Sequence, residues 1–120
     1  MYKRQLGLRF RREMGESEFA QWADDHPAAI AHAQEALALA VAAGDDLLRA
    51  RALRRRGMAE IFQGDNEAAE ASISASFDAY ERNGDEVGMA WARQNLAWIA
   101  FTEGRMAEAC LLYTSPSPRD

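Results

Sequence analysis

The side chains best suited to chemistry form a short run of arginines at positions 49, 51, 54, 55 and 56. Guanidinium groups hold carboxylates through paired N–H donors, so such a run can recognise an acidic ligand. A solvated helix face is the plainer interpretation, because Asp45, Asp46 and Glu60 lie nearby and neutralise part of the charge. Both interpretations stay open at the level of sequence.

A second polar and aromatic set lies further along the chain, at Trp91, Gln94, Asn95 and Trp98. Trp91 and Trp98 are seven residues apart, so on a helix they share one face. A surface that combines arginine with tryptophan suits a ligand that carries a carboxylate and an apolar side chain. Burial of the two indole rings in the core is the alternative.

Catalytic and metal-binding patterns are missing from the sequence. His26 and His32 are the two histidines, and their spacing does not place them on one helix face. No GxxxxGK[ST], HExxH or GxSxG pattern occurs. We therefore expect no enzyme active site, no cofactor and no metal in this chain.

Composition narrows the partner class. The 120 residues carry a net charge of −5, which disfavours nucleic acid and anionic membranes as partners. No run of apolar residues is long enough to cross a membrane, and no signal peptide is recognisable. We expect a cytoplasmic protein that binds neither nucleic acid nor membrane through this segment.

The elements that would position these side chains are helices. Gly-Asp pairs begin at residues 44, 64 and 84, where glycine can end one helix and aspartate can cap the next. Nothing alternates with period two, so we predict no strand. The predicted helices are Leu8–Ala23, Pro27–Ala43, Asp46–Gln63, Asn66–Asn83, Glu86–Glu103 and one from Met106 onward.

The chain repeats itself at an interval of 40 residues, which relates Gly44 to Gly84, Gly64 to Gly104, and Ala69 to Ala109. Residues 88–109 carry the clearest match to the tetratricopeptide repeat, which the chain resembles from about Pro27 to Ala109 and more weakly from Leu8 to Asp25. The period is that of the long variant found in large bacterial transcriptional regulators and signalling ATPases. The resemblance implies an all-α, antiparallel helix-hairpin solenoid, a right-handed superhelix of about two and a half repeats.

The chain departs from the family pattern at Arg56 and Glu60, where the family favours leucine and tyrosine. These side chains are four residues apart on a helix, so they can pair locally.

The resemblance also implies a site, because the first helix of each tetratricopeptide hairpin lines a concave groove that holds a peptide or partner helix. Asn95 matches the asparagine that often hydrogen-bonds the bound peptide backbone. The candidate peptide-binding residues are Arg51, Arg54, Arg55, Met58, Trp91, Gln94, Asn95 and Trp98. The expected function is a protein–protein interaction scaffold; the alternatives are a sensor region of a transcription regulator or signalling ATPase, and a structural spacer.

Both ends of the chain resemble translated sequencing-adapter sequence, at residues 1–5 and 110–120. We expect the repeat domain to span residues 6–109 of a protein that continues beyond both ends, with helix ending by about Thr114. A native Pro/Ser-rich tail is the alternative for the C-terminal segment. We further expect self-association through an uncapped end, where Trp98, Ile99 and Phe101 would be partly uncovered.

Overall fold

The computed structural model describes residues 2–114, which form six helices joined by short turns. No strand occurs in this range, so the all-α prediction is confirmed for it. The bounds of α3 are as predicted, and those of α2, α4 and α5 differ by one residue. The helices are α1 (Tyr2–Trp22), α2 (His26–Ala43), α3 (Asp46–Gln63), α4 (Asn66–Arg82), α5 (Glu86–Thr102) and α6 (Met106–Thr114).

All five turns have the same backbone conformation, at intervals of 20 residues. Gly44, Gly64, Gly84 and Gly104 have φ between 65° and 91°, and Asp24 occupies the equivalent position with φ 60°. In each turn the next backbone N–H donates to a carbonyl five residues earlier, as in Asp45 to Ala40 at 3.1 Å. The first hairpin therefore follows the same repeat as the others, although aspartate takes the place of glycine.

Aspartate side chains start four of the helices. Asp25, Asp45, Asp65 and Asp85 accept hydrogen bonds from backbone N–H groups of the first turns of α2 to α5. The equivalent position before α6 is Arg105, whose guanidinium instead contacts carboxylates from three positions. They are Glu70, Glu103 and Glu108, at 3.3, 2.6 and 2.5 Å.

Helix α1 begins at Tyr2 rather than at Leu8, and one residue ahead of the predicted start, Leu6, is packed in the core. Leu6 and Phe10 are both buried and join a cluster with Leu39 and Ala52. Burial of one apolar face sustains the helix although two glycines weaken it. Residues 2–5, which we assigned to a non-native end, form the exposed first turn of this helix.

Helices α1 and α2 run antiparallel, as the order of their contacts shows. Near the turn, the Ser17 hydroxyl donates to the Ala29 carbonyl at 2.6 Å, while at the far end Arg9 lies 3.9 Å from Glu35. Each helix contacts the next one in sequence, and α3 also contacts α1 and α5. This succession of contacts fits a helical repeat.

Helices α3 and α4 also run antiparallel. The Ser76 hydroxyl donates to the Ala50 carbonyl at 3.0 Å. At the far end, Arg82 donates two hydrogen bonds to Asp46, at 3.1 and 3.2 Å, and the Asn83 amide donates a third at 2.9 Å. Asp46 thus connects the start of α3 to the end of α4.

Two glycines permit close helix contacts. A Cβ atom at Gly88 would collide with the ring of Tyr80, where α4 meets α5. A Cβ atom at Gly57 would lie 2.7 Å from Ile73 Cγ1, where α3 meets α4. The missing side chains let Tyr80 and Ile73 fill the space beside the neighbouring backbone.

Arg56 and Glu60 interact through Ser72 of α4, which lies between them. Arg56 Nε donates to Ser72 Oγ at 3.1 Å, and that hydroxyl donates to Glu60 Oε1 at 2.6 Å. Both polar side chains are thus accommodated at the α3–α4 contact.

Helix α6 continues through residues 110–114, the first part of the segment that we assigned to a tail; residues 115–120 lie outside the described range. Trp98 and Phe101 stack on each other and are about half exposed, but Ile99 is fully buried, against our expectation. In the described residues, no helix is both long and apolar enough to span a membrane.

Candidate functional site

Helices α1, α3 and α5 form a surface with two neighbouring clefts. The first cleft has a volume of about 530 Å³ and lies where α1, α3 and Trp91 of α5 meet. The second cleft has a volume of about 610 Å³ and lies between α3 and α5. Met58 lines both clefts, so the two are adjacent along one surface.

Three arginines of α3 enter the first cleft together. Arg51, Arg54 and Arg55 are spaced so that they occupy one helix face, and Arg11 of α1 joins them. Glu18 is the single carboxylate among the described lining residues. The lining is therefore positively charged in a chain whose net charge is negative.

Arg54 is held in place by α5. Its Nε donates to Asn95 Oδ1 at 3.0 Å, and its guanidinium carbon lies 5.1 Å from the centroid of the Trp91 ring. Partial burial lowers the pKa of Arg54 from its ordinary value, but the group remains charged. The contacts with Asn95 and Trp91 orient the guanidinium before any ligand arrives.

Arg55 is the most buried of these arginines, with 9% of its surface exposed. One terminal nitrogen donates to the side-chain oxygen of Gln21, while its Nε is enclosed and has no hydrogen-bond partner in the described residues. Burial lowers the pKa of Arg55, the Glu18 carboxylate opposes that shift, and the charge of Arg54 adds to it. A buried cation with an unpaired donor costs free energy that a bound anion can offset.

Tyr80 of α4 also contributes to the first cleft, and it is 1% exposed. Burial raises the pKa of its phenol, and the charges of Arg54 and Arg51 act against that rise. The hydroxyl is therefore neutral at physiological pH and retains a proton that it can donate.

The described lining of the second cleft carries no charged side chain, and it includes a tryptophan. Trp98 is 49% exposed, so its indole belongs to the surface and not to the core. Asn95 lies on the same face, and its Oδ1 accepts the hydrogen bond from Arg54. That bond directs the amide oxygen towards Arg54 and leaves the amide N–H₂ as a donor for a ligand. The remaining lining includes Ile61, Phe62 and Thr102.

The structure brings seven of the eight candidate residues to these clefts. Arg51, Arg54, Arg55, Met58 and Trp91 line the first, and Met58, Asn95 and Trp98 line the second. Gln94 is exposed and lines neither.

Sequence reasoning missed the contribution of α1 to the first cleft. Arg11, Met14, Gly15 and Glu18 line it, each 40 residues before a lining residue of α3. The same interval relates Arg51, Arg55 and Met58 to Trp91, Asn95 and Trp98 of α5. Applying the 40-residue interval one step further towards the N-terminus would have identified these four residues of α1.

This arrangement can hold an anion in the first cleft and an apolar group in the second. In the described residues, no group of three or more metal-ligating side chains is close enough to hold an ion. Comparisons with protein-family models, with curated proteins and with solved structures found no match for this chain.

Proposed function

We propose that this chain is the interaction segment of a larger protein, built from tetratricopeptide-like hairpins in a right-handed solenoid, and that it binds an extended peptide across α1, α3 and α5. One observation carries the proposal: side chains at 40-residue intervals, on three successive first helices, line two adjacent clefts. A repeat that stacks hairpins side by side forms a continuous surface of this kind.

The clefts define the peptide chemistry. An acidic side chain fits the first cleft, where Arg51 and Arg54 supply charge-assisted hydrogen bonds. An apolar side chain fits the second cleft against Trp98, and the free N–H₂ of Asn95 can donate to the peptide backbone between them. Groove peptides of this size bind at about micromolar affinity, or about −8 kcal/mol.

Selection of a random peptide display library on the purified chain tests this proposal. We expect enrichment of peptides that carry an acidic residue close to a bulky apolar one. Trp98→Ala should weaken the binding of the enriched peptides by about 1–2 kcal/mol, because aromatic anchors dominate the binding free energy of such interfaces. Trp22→Ala is the matched control, since Trp22 is 80% exposed and lines neither cleft. Failure to enrich any sequence, or equal losses in both variants, would contradict the proposal.

A sensor region of a bacterial transcription regulator or signalling ATPase is the second candidate. The volume of the first cleft, about 530 Å³, favours it, because this lies within the range of small-molecule sites. Binding of a small anion without binding of any peptide would support the sensor function over the scaffold.

A further inference from the structure

The first cleft contains more positive charge than one carboxylate can balance. Arg11, Arg51, Arg54 and Arg55 line it against the single carboxylate of Glu18. Within the described part of the chain, none of the four guanidinium groups forms an ion pair. Like charges three and four residues apart on α3 repel one another, so this lining destabilises the empty protein.

The donors are also arranged before binding. Arg54 is fixed by Asn95 and Trp91, and Arg55 by Gln21. A ligand that meets oriented guanidinium groups loses less conformational entropy than one that must order them. Arg51 is exposed and can close over a bound group from the rim.

Apart from its five charged residues, the first cleft is lined mainly by apolar side chains, several of them aromatic. Three rings line it, those of Phe10, Tyr80 and Trp91, with the thioethers of Met14 and Met58 beside them. Aromatic and thioether groups pack well against a flat ring, which fills such a space more completely than an aliphatic chain.

We propose that the first cleft binds an aromatic phosphate monoester, presented as the phosphotyrosyl side chain of a peptide. The phosphoryl group lies among Arg51, Arg54 and Arg55, and the ring lies between Trp91 and Met14. This inference deepens the proposed peptide-binding function. It rests on that function for one point, that the phosphate monoester belongs to a peptide.

A phosphoryl group suits the cleft better than a carboxylate for two reasons. It carries about −1.5 to −2 charges at pH 7, so it balances more of the excess positive charge. Its three terminal oxygens can accept from several guanidinium groups at once, whereas a carboxylate offers two.

The test compares four probes on the full chain by calorimetry. They are a degenerate peptide library with a central phosphotyrosine, the same library with tyrosine, phenyl phosphate and benzoate. We expect the phosphorylated library to bind at least about tenfold more tightly than its counterpart. Phenyl phosphate should likewise bind more tightly than benzoate.

Variants locate the effect. Arg54→Gln and Arg51→Gln should each remove most of the preference for the phosphorylated probe, while Arg49→Gln should preserve it. Arg49 lies on the same helix but pairs with Asp46, away from the first cleft. Arg51→Gln should fold normally because Arg51 is exposed, so a loss of preference in this variant reports on the site and not on folding. A preference that persists in both cleft variants would overturn the site.

The outcomes separate this inference from the proposed function. Equal binding of both libraries overturns the phosphate inference and leaves peptide binding intact. Preference for phenyl phosphate over benzoate with no binding of either library supports the phosphate site, overturns its peptide carrier and contradicts the proposed function. Absence of binding by all four probes overturns both.

Discussion

At the scale of single residues, the first turn differs from the other four in the side chain at its left-handed position. Asp24 has φ 60° at a position where the other turns have glycine, and aspartate tolerates this region better than most side chains. Because no glycine marked the turn, the first hairpin was only weakly visible in the sequence.

Asp24→Gly should raise the free energy of unfolding by about 0.5–1 kcal/mol, because glycine adopts the left-handed conformation without a Cβ penalty. Urea denaturation measures the change. Asp25→Gly is the control: it has the same composition change but removes the cap of α2, so it should not be stabilising. Destabilisation by Asp24→Gly would show that the Asp24 side chain contributes more than its backbone strain costs.

Gly88→Ala should lower the free energy of unfolding by about 1–3 kcal/mol, because the added methyl group overlaps the Tyr80 ring. Gly15→Ala offers a matched comparison, since nothing lies within 4 Å of the added atom. In that helix interior alanine should stabilise by about 0.5–1 kcal/mol. Thermal or urea melts of the two variants should therefore shift in opposite directions, and a shared direction would contradict the packing of α4 against α5.

The residues of the candidate site that follow the 40-residue interval were predictable from the sequence, and the one outside it, Tyr80, was not. Trp98 and Asn95 follow from the 40-residue interval, which relates them to Met58 and Arg55. Tyr80 comes from α4, and it reaches the first cleft through the space that Gly88 leaves. No periodicity in the sequence indicates that the Tyr80 ring occupies the space beside Gly88.

At the scale of helices, most boundaries were predictable because short-range chemistry determines them. A left-handed glycine followed by a capping aspartate ends one helix and begins the next, whatever the helices pack against. The start of α1 has no such signal. It depends on burial of Leu6 and Phe10 against other helices, which is a tertiary effect.

The contact between the start of α3 and the end of α4 should depend on pH. The hydrogen bond from Arg82 lowers the pKa of Asp46, the bond from Asn83 and the charge of Arg49 act in the same direction, and burial opposes them. A lowered pKa gives stability that is present above the ordinary value of about 4 and is lost as pH falls through the folded-state pKa. Asp46→Asn should therefore lose less stability than the wild type as pH falls below about 4.

Urea denaturation across that pH range measures this difference. Glu81→Gln is the control, because Glu81 forms no ion pair with a described residue. Its acid sensitivity should match the wild type. If Asp46→Asn and the wild type lose the same stability as pH falls, Arg82 does not stabilise the Asp46 carboxylate in solution.

At the scale of the whole molecule, the helices form a slab of 47 × 35 × 18 Å, about two helices thick. So thin a shape leaves large apolar side chains without cover. At the α5–α6 end, Trp98, Phe101, Leu111 and Tyr113 are each about half exposed or more.

We expect this exposed end to cause self-association of the isolated chain. Sedimentation should show a mass that rises with concentration, because apolar patches of this kind are rarely left uncovered on monomers. Phe101→Glu should reduce the association, whereas Val41→Glu, at an exposed apolar residue of α2, should not. A monomer that persists at all concentrations would contradict this expectation.

The close fit of Tyr80 to Gly88 has a consequence for how the gene can change. Forty residues earlier, the same two positions are Ala40 and Leu48, a small residue followed by a large one, in the cluster between α2 and α3. Unequal recombination that deleted one period would join α2 to α5 through an intact Gly-Asp turn, yet it would set Ala40 against Gly88 and leave a void. A duplication would set Tyr80 against Leu48 and overfill the same junction. The turns are interchangeable, but the side-chain volumes that meet beside them are not. Rearrangements that change the order of the helix pairs would therefore destabilise the protein.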